Sequence, residues 1–168
     1  SVACGAGIVV PIDKELPSNE IENLVRRSEA KAIFYSPRKR DTIEEVKKAK
    51  TNLKYFIELY PTEDKSPINI DEENHTIDEL IECGKGMDSK RYLDIKIDPE
   101  EFRILLFTSG TTQEAKGVML TNRNIMSNLH AAIKLVHLYD GDRFFSVLPL
   151  HHSYESSIGM MIPIYNGL

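Results

Sequence analysis

Two apolar stretches, Phe102–Phe107 and Val118–Leu120, are separated by ten residues too polar for any core, Thr108–Gly117. A chain must turn there, and what the turn contains narrows its use. Gly110 and Gly117 let backbone N–H groups approach an oxygen-rich ligand closely. Thr108, Ser109, Thr111 and Thr112 supply four hydroxyls that wrap charge without adding any. Lys116 adds one mobile cation. Together they suit a polyphosphate. A Walker loop is a poor match, because it needs a lysine that follows a glycine, a hydroxyl next, and then a helix. Here Lys116 precedes Gly117 and a strand follows. On its residues alone, the segment reads equally well as a solvated Thr/Ser-rich hairpin loop.

The flanking pattern is α/β. Ala6–Ile12 is a short apolar run readable as a buried strand. Ser18 offers an N-cap for a helix over Asn19–Glu29, with Ile21, Leu24 and Val25 on one face. Ala30–Tyr35 is β-rich and ends at Pro37. Thr42 and Glu45 have capping-box spacing for a helix reaching Lys50, and Leu53–Leu59 is the next strand. Strands and helices alternating at this spacing predict βαβ units and a mostly parallel, layered sheet with flanking helices. From Tyr60 to Asp98 the pattern dissolves, apart from a short helix near Ile77–Cys83. Thr121 or Asn122 then caps a helix striped by Ile125, Leu129, Ala132, Ile133 and Val136 and closed by Asp140–Asp142. Phe144–Leu148 returns to strand. The expected division is therefore a βαβ portion over 1–59, a connecting region over 60–98 and a loop-bearing portion over 99–168.

Composition excludes several classes. A net charge of −5 gives no support to nucleic acid or an anionic membrane as partner. No apolar run approaches the ~18 residues of a membrane span. Cys4 and Cys83 form no CxxC pair and read as buried or half-buried thiols in a reducing, cytoplasmic setting, with peripheral membrane association left open. No metal site is read from the residues. His151 and His152 are adjacent, so in extended chain they face opposite ways. His130 and His137 read as surface or packing residues. Both ends of the chain read as cuts in a longer one, and the apolar surface exposed by such cuts would favour self-association.

The segment Phe107–Val118 resembles the signature phosphate loop of the adenylate-forming (AMP-binding) superfamily, an aromatic followed by T-S-G-[ST]-T-G-x-P-K-G-V. Thr108, Ser109, Gly110, Thr111, Thr112, Lys116, Gly117 and Val118 match. Coincidence at the fixed positions would occur on the order of once in 10⁸ windows at average residue usage. Gln113 stands where a glycine is usual and Ala115 where a proline is usual, and neither removes a phosphate-binding side chain. Val147–Glu155, with its L-P-L-x-H core, is similar to the superfamily segment at the mouth of the acyl pocket, in the form of fatty-acyl-CoA ligases. Ala6–Asp13 resembles the earlier A-G-x-x-x-x-P-[IL]-[DN] segment.

The resemblance implies a partial N-terminal domain of an acyl-CoA synthetase-like enzyme, with the small C-terminal domain absent. It implies ATP, Mg²⁺ held largely by residues elsewhere, and CoA as co-substrate. Lys116 and His152 would be catalytic, with Thr108, Ser109, Gly110, Thr111, Thr112 and Gly117 around the phosphates. His151, His152 and Tyr154 would meet the acid. A downstream Y-G-x-[ST]-E segment, ribose aspartate, arginine and mobile-domain lysine, which the family requires, do not occur in 1–168. The parent would make an acyl-AMP from a carboxylic acid, in the first instance a fatty acid, and pass the acyl group to CoA. The alternatives are another acid, a carrier-protein thiol, or a non-catalytic phosphate-binding module.

Overall fold

The computed structural model describes residues 6–59, 73–108, 115–139 and 141–167. They group into two compact units, one over Lys14–Leu93 and one that joins the stretch ending at Asp13 to the stretch from Asp94 onward. The opening segment thus groups with the loop-bearing portion, and not with the βαβ portion next to it in sequence.

In the Lys14–Leu93 unit, helix α1 spans Ser18–Ser28. Its N-cap is Pro17 and not Ser18; the Pro17 carbonyl accepts from the N–H of Glu20 and of Ile21, each at 3.1 Å. Proline's fixed φ suits a cap, and Ser18 becomes the first helical residue without a side-chain capping bond. Ile21, Leu24 and Val25 are buried, as their spacing predicts. The helix stops at Glu29, which adopts a left-handed φ of 53°, a conformation that costs a non-glycine residue roughly 1 kcal/mol. Strand β1, Ala32–Tyr35, follows. Pro37 opens a tight turn that runs straight into α2, Arg40–Lys48. Helix α2 therefore begins two residues before Thr42, which lies inside it and caps nothing. Strand β2, Tyr55–Glu58, pairs in parallel with β1 on one side and on the other with β3, Asn74–Thr76, in the order β1-β2-β3. Tyr35, Ile43 and Phe56 form the core here, with Ile33 and Leu53 packed against it. The expected helix near Ile77–Cys83 is α3, Ile77–Lys85, capped by the Thr76 hydroxyl, and α4 is Lys90–Leu93. Cys83 is exposed, contrary to the expectation of a buried thiol, because α3 buries none of its residues. Cys4 lies outside the described residues.

The charged centre of this unit is Glu58, only 1% exposed at the end of β2. Arg40 Nε donates to its Oε2 at 2.6 Å and Arg40 Nη2 to its Oε1 at 2.7 Å. That fork answers both oxygens of a carboxylate taken out of water. The hydrogen bond to Glu58 raises the Arg40 pKa above its ordinary value. Burial, then Glu58 and Glu44, push the Tyr35 phenol up.

The second unit is built on an antiparallel pair, β4, Phe102–Thr108, and β5, Lys116–Thr121. The Ala6–Ile12 run is not a buried strand. It touches β4 through a single parallel bridge, Val9 to Ile104, and Ile8 is half exposed. Helix α5, Asn122–Leu135, starts at a capping box in which Asn124 N–H donates to Thr121 Oγ1 at 3.2 Å and Thr121 N–H to Asn124 Oδ1 at 2.9 Å. Leu129 is its buried residue, and the helix ends at Leu135, ahead of the predicted Asp140–Asp142 stop. Phe144–Leu148 forms no strand: it is exposed throughout, and among the described residues nothing pairs with its backbone. An apolar alternation without a partner ladder has no reason to extend. A wide helical turn over Glu155–Met161, in which Ile162 N–H reaches back to Ser157 O, continues into α6, Ile162–Asn166. Pro163 has no N–H to give there, which suits the irregular junction. No helix among the described residues is long and apolar enough to cross a membrane.

Arg40→Ala is expected to destabilise the fold by about 3 kcal/mol, since it leaves the Glu58 carboxylate buried and unpaired. Urea unfolding followed by circular dichroism checks this, and a change below about 0.5 kcal/mol, as for an ordinary surface substitution, would show that Glu58 does not depend on the pair.

Candidate active site

The predicted phosphate loop is the connection of the β4–β5 hairpin. Its stem is set by register: Thr108 faces Lys116 and Phe107 faces Gly117 across the ladder. The Thr108 hydroxyl lies 3.5 Å from the Lys116 carbonyl, to which it donates a long hydrogen bond. Ser109, Gly110, Thr111 and Thr112 lie outside the described residues, as does Gln113. Thr108, Lys116 and Gly117 are thus brought together at one end of the hairpin. Lys116 is exposed, and no carboxylate among the described residues pairs with it. An uncommitted ammonium beside a hydroxyl at the mouth of a loop can meet an anion without first breaking an ion pair.

Gly117 has a structural reason beyond close ligand approach. A Cβ built there would sit 3.2 Å from Leu105 Cδ1 and 3.5 Å from Phe107 Cε1. The Phe107 ring lies across its strand partner, and the missing side chain is what makes room.

His151 and His152 lie in a turn closed by the His152 N–H donating to the Pro149 carbonyl at 3.0 Å. Their rings do not diverge as in extended chain: the centroids are 4.5 Å apart and the planes are inclined at 36°. The turn after Pro149 brings them onto one side. Tyr154 is 63% exposed at the start of the following helix. Glu155 is 4% exposed, and its Oε1 has no hydrogen-bond partner among the described residues. Gly159 lies against that carboxyl, where a Cβ would collide with it. His130 is exposed on α5 and meets Tyr165 edge-on at 5.8 Å between ring centroids, a packing role as expected. None of Thr108, Lys116 and Gly117 contacts His151, His152 or Tyr154 through a hydrogen bond or ion pair among the described residues.

Two residues that the sequence reading left without a role join this region. Asp13, noted there only as the end of a motif, places Oδ2 3.7 Å from His151 Nε2. Arg103 is buried in β4, pairs with Glu101, and has an Nε without a partner among the described residues. Asp13 has no spacing signal, because its contact depends on how the chain folds back, whereas Arg103 and Glu101 are two residues apart in sequence. No group of three His, Cys, Asp or Glu residues able to hold a metal occurs among the described residues.

Residues 3–168 match the family described as AMP-binding enzyme. Over 167 residues, 99% of this chain, the sequence is 30% identical to a CoA ligase of Gibberella moniliformis (strain M3125 / FGSC 7600), of which it covers 24%. Over 68 residues, 40% of this chain, it is 41% identical to the chloroplastic long-chain-fatty-acid–[acyl-carrier-protein] ligase AEE15 of Arabidopsis thaliana, of which it covers 9%. Among solved structures, the anthranilate CoA ligase AuaEII in complex with anthranoyl-AMP superposes with a TM-score of 0.74 at 16% identity, over 96% of this chain and 29% of that one. The chain belongs to the AMP-binding enzyme family, and its α/β architecture is that of a ligase of this class. It spans less than a third of each of these three proteins.

Gly117→Val is expected to destabilise the hairpin by about 1–2 kcal/mol through overpacking against Leu105 and Phe107. Gly117→Ala should stay within about 1 kcal/mol of the parent, because the Leu105 methyl can give way and the unfolded chain loses freedom. Thermal melts of the two variants test this; equal stability of Val and Ala would remove the steric argument.

Proposed function

We propose that the protein carrying this chain is an AMP-forming acid–thiol ligase that activates a carboxylic acid as acyl-AMP and transfers the acyl group to CoA. The observation that carries the reading is the family-matched hairpin loop whose stem presents Lys116, exposed and without an ion-pair partner among the described residues, beside Thr108. Lys116 and the loop hydroxyls hold the β- and γ-phosphates and neutralise charge that grows as pyrophosphate departs. ATP supplies the activated phosphorus that the carboxylate attacks, and Mg²⁺ belongs to the same reading through residues outside the described ones. His152, in its turn, meets the acid carboxylate as a hydrogen-bond donor, with His151 beside it and Tyr154 towards the acyl chain. A fatty acid is the favoured substrate, on the similarity of Val147–Glu155 to the fatty-acyl form of the motif. The reading places the enzyme in a reducing, cytoplasmic compartment.

A second reading changes only the acceptor. It takes a carrier-protein thiol in place of CoA, the acceptor in the name of the Arabidopsis relative that is 41% identical over 68 residues.

Acid-dependent ATP–pyrophosphate exchange by the full-length protein is the direct test. Lys116→Ala should lower its rate by about 10²-fold, the scale of one lost charge-stabilising contact. Unchanged turnover would remove Lys116 from the phosphate site. The 168-residue chain assayed alone is expected to show no exchange, and acid-dependent exchange by it would overturn the division of labour proposed here.

A further inference from the structure

Asp13 and His151 come from opposite ends of the chain, and β4 anchors the stretch that carries Asp13. Val9 N–H donates to the Arg103 carbonyl at 2.8 Å and Leu105 N–H donates to the Val9 carbonyl at 2.9 Å. The stretch that ends at Asp13 is therefore anchored to β4, the strand whose far end is Thr108. Asp13 Oδ2 then stands 3.7 Å from His151 Nε2, an ion-pair distance, longer than a hydrogen bond. His151 retains 20% side-chain exposure and Asp13 36%, so the contact is partly shielded from water.

The next link is His152. Its backbone is held on both sides: the N–H donates to Pro149 O at 3.0 Å, and the carbonyl accepts from Ser156 N–H at 3.0 Å and Ser156 Oγ at 3.1 Å. Only the ring is left to move, and the His151 ring lies against it at 4.5 Å. A carboxylate facing Nε2 of His151 favours the form that carries its proton there, which fixes the way that ring lies. A ring so fixed limits where the neighbouring imidazole can go. Outer partners of this kind orient the groups that touch substrate.

We propose that Asp13 is a positioning residue which, through His151, holds the His152 ring where it meets the substrate carboxylate. The inference rests on the ligase reading above and adds to it a residue on a separate stretch of chain. Because Asp13 acts on the acid side, its loss should alter the KM for the acid and leave the KM for ATP in place.

The test uses the full-length protein, with palmitate as the acid and ATP–pyrophosphate exchange as the assay, together with ¹⁵N NMR of the histidine rings. Asp13→Asn keeps the shape and removes the charge. It should raise the KM for the acid about threefold to fivefold, the scale of one partly exposed ion pair, with the KM for ATP unchanged. The effect should vanish when His151→Gln is already present. Asp13→Asn should also move the His151 ring nitrogens away from the Nε2–H pattern, and Asp13→Glu should restore part of both signals. Should Asp13→Asn fail to fold, Asp13→Ser, which also removes the charge, takes its place with the same expected outcomes. An equal rise in both KM values, an unchanged acid KM, or the same Asp13→Asn effect with and without His151 would overturn the inference. If the wild type exchanges with no acid, the ligase reading falls. The Asp13–His151 link is then decided by the ¹⁵N pattern: a shift in Asp13→Asn sustains it, and no shift ends it.

Discussion

A β-strand has two edges of backbone donors and acceptors, and β4 uses both. On one edge β5 sets Phe107 opposite Gly117 and Thr108 opposite Lys116. On the other, the Arg103 carbonyl and the Leu105 N–H hold Val9. Residues that alternate along one strand thus position the stem of the phosphate loop and the segment that leads to Asp13. Ile104 and Arg103 are buried, so the strand cannot slide without moving both. A one-residue slip would turn every side chain of β4 to the other face and take Lys116 out of register with Thr108. The chemistry proposed for the loop and for the histidine turn therefore depends on the same short ladder.

The chain is acidic, with 26 Asp and Glu against 21 Lys and Arg, and several basic side chains stand in ion pairs. Arg40 is spent on Glu58, Lys47 on Glu44, Lys85 on Glu82 and Arg123 on Glu100. Lys116 has no such partner among the described residues. In a field of excess negative charge, an anion site has to be made locally from backbone N–H groups, hydroxyls and a lysine kept out of ion pairs.

Legibility followed the kind of force involved. Where a helix is held by its own apolar face, the sequence showed it: Ile21, Leu24 and Val25 of α1 are buried as their spacing demands, whereas of the stripe expected on α5 only Leu129 is buried and Val136, past the helix end, is exposed. Its ends were less legible, because caps depend on local competition. Pro17 displaced Ser18, and the turn at Pro37 started α2 ahead of Thr42. Strands were legible only where a partner exists. Phe102–Thr108 has β5 and forms, whereas Phe144–Leu148 has the composition but no ladder, and Ala6–Ile12 has a single bridge. The pairing of Asp13 with His151 was not legible at all, since no periodicity links residues joined only by the path of the chain.

The loop motif itself mixes two kinds of constraint that a residue pattern cannot separate. In the proposed reading Lys116 and the loop hydroxyls serve a ligand. Gly117 answers to the fold as well: without a Cβ it lets the Phe107 ring and Leu105 lie across β5, with 3.2 Å to the nearer of them if a Cβ were added. Aromatic and glycine therefore form one cross-strand pair in the register Phe107–Gly117. A sequence could retain that pair and the hairpin while losing every phosphate contact. In the proposed reading it is the lysine beside the glycine, exposed and without an ion-pair partner among the described residues, that separates a binding loop from a well-made turn.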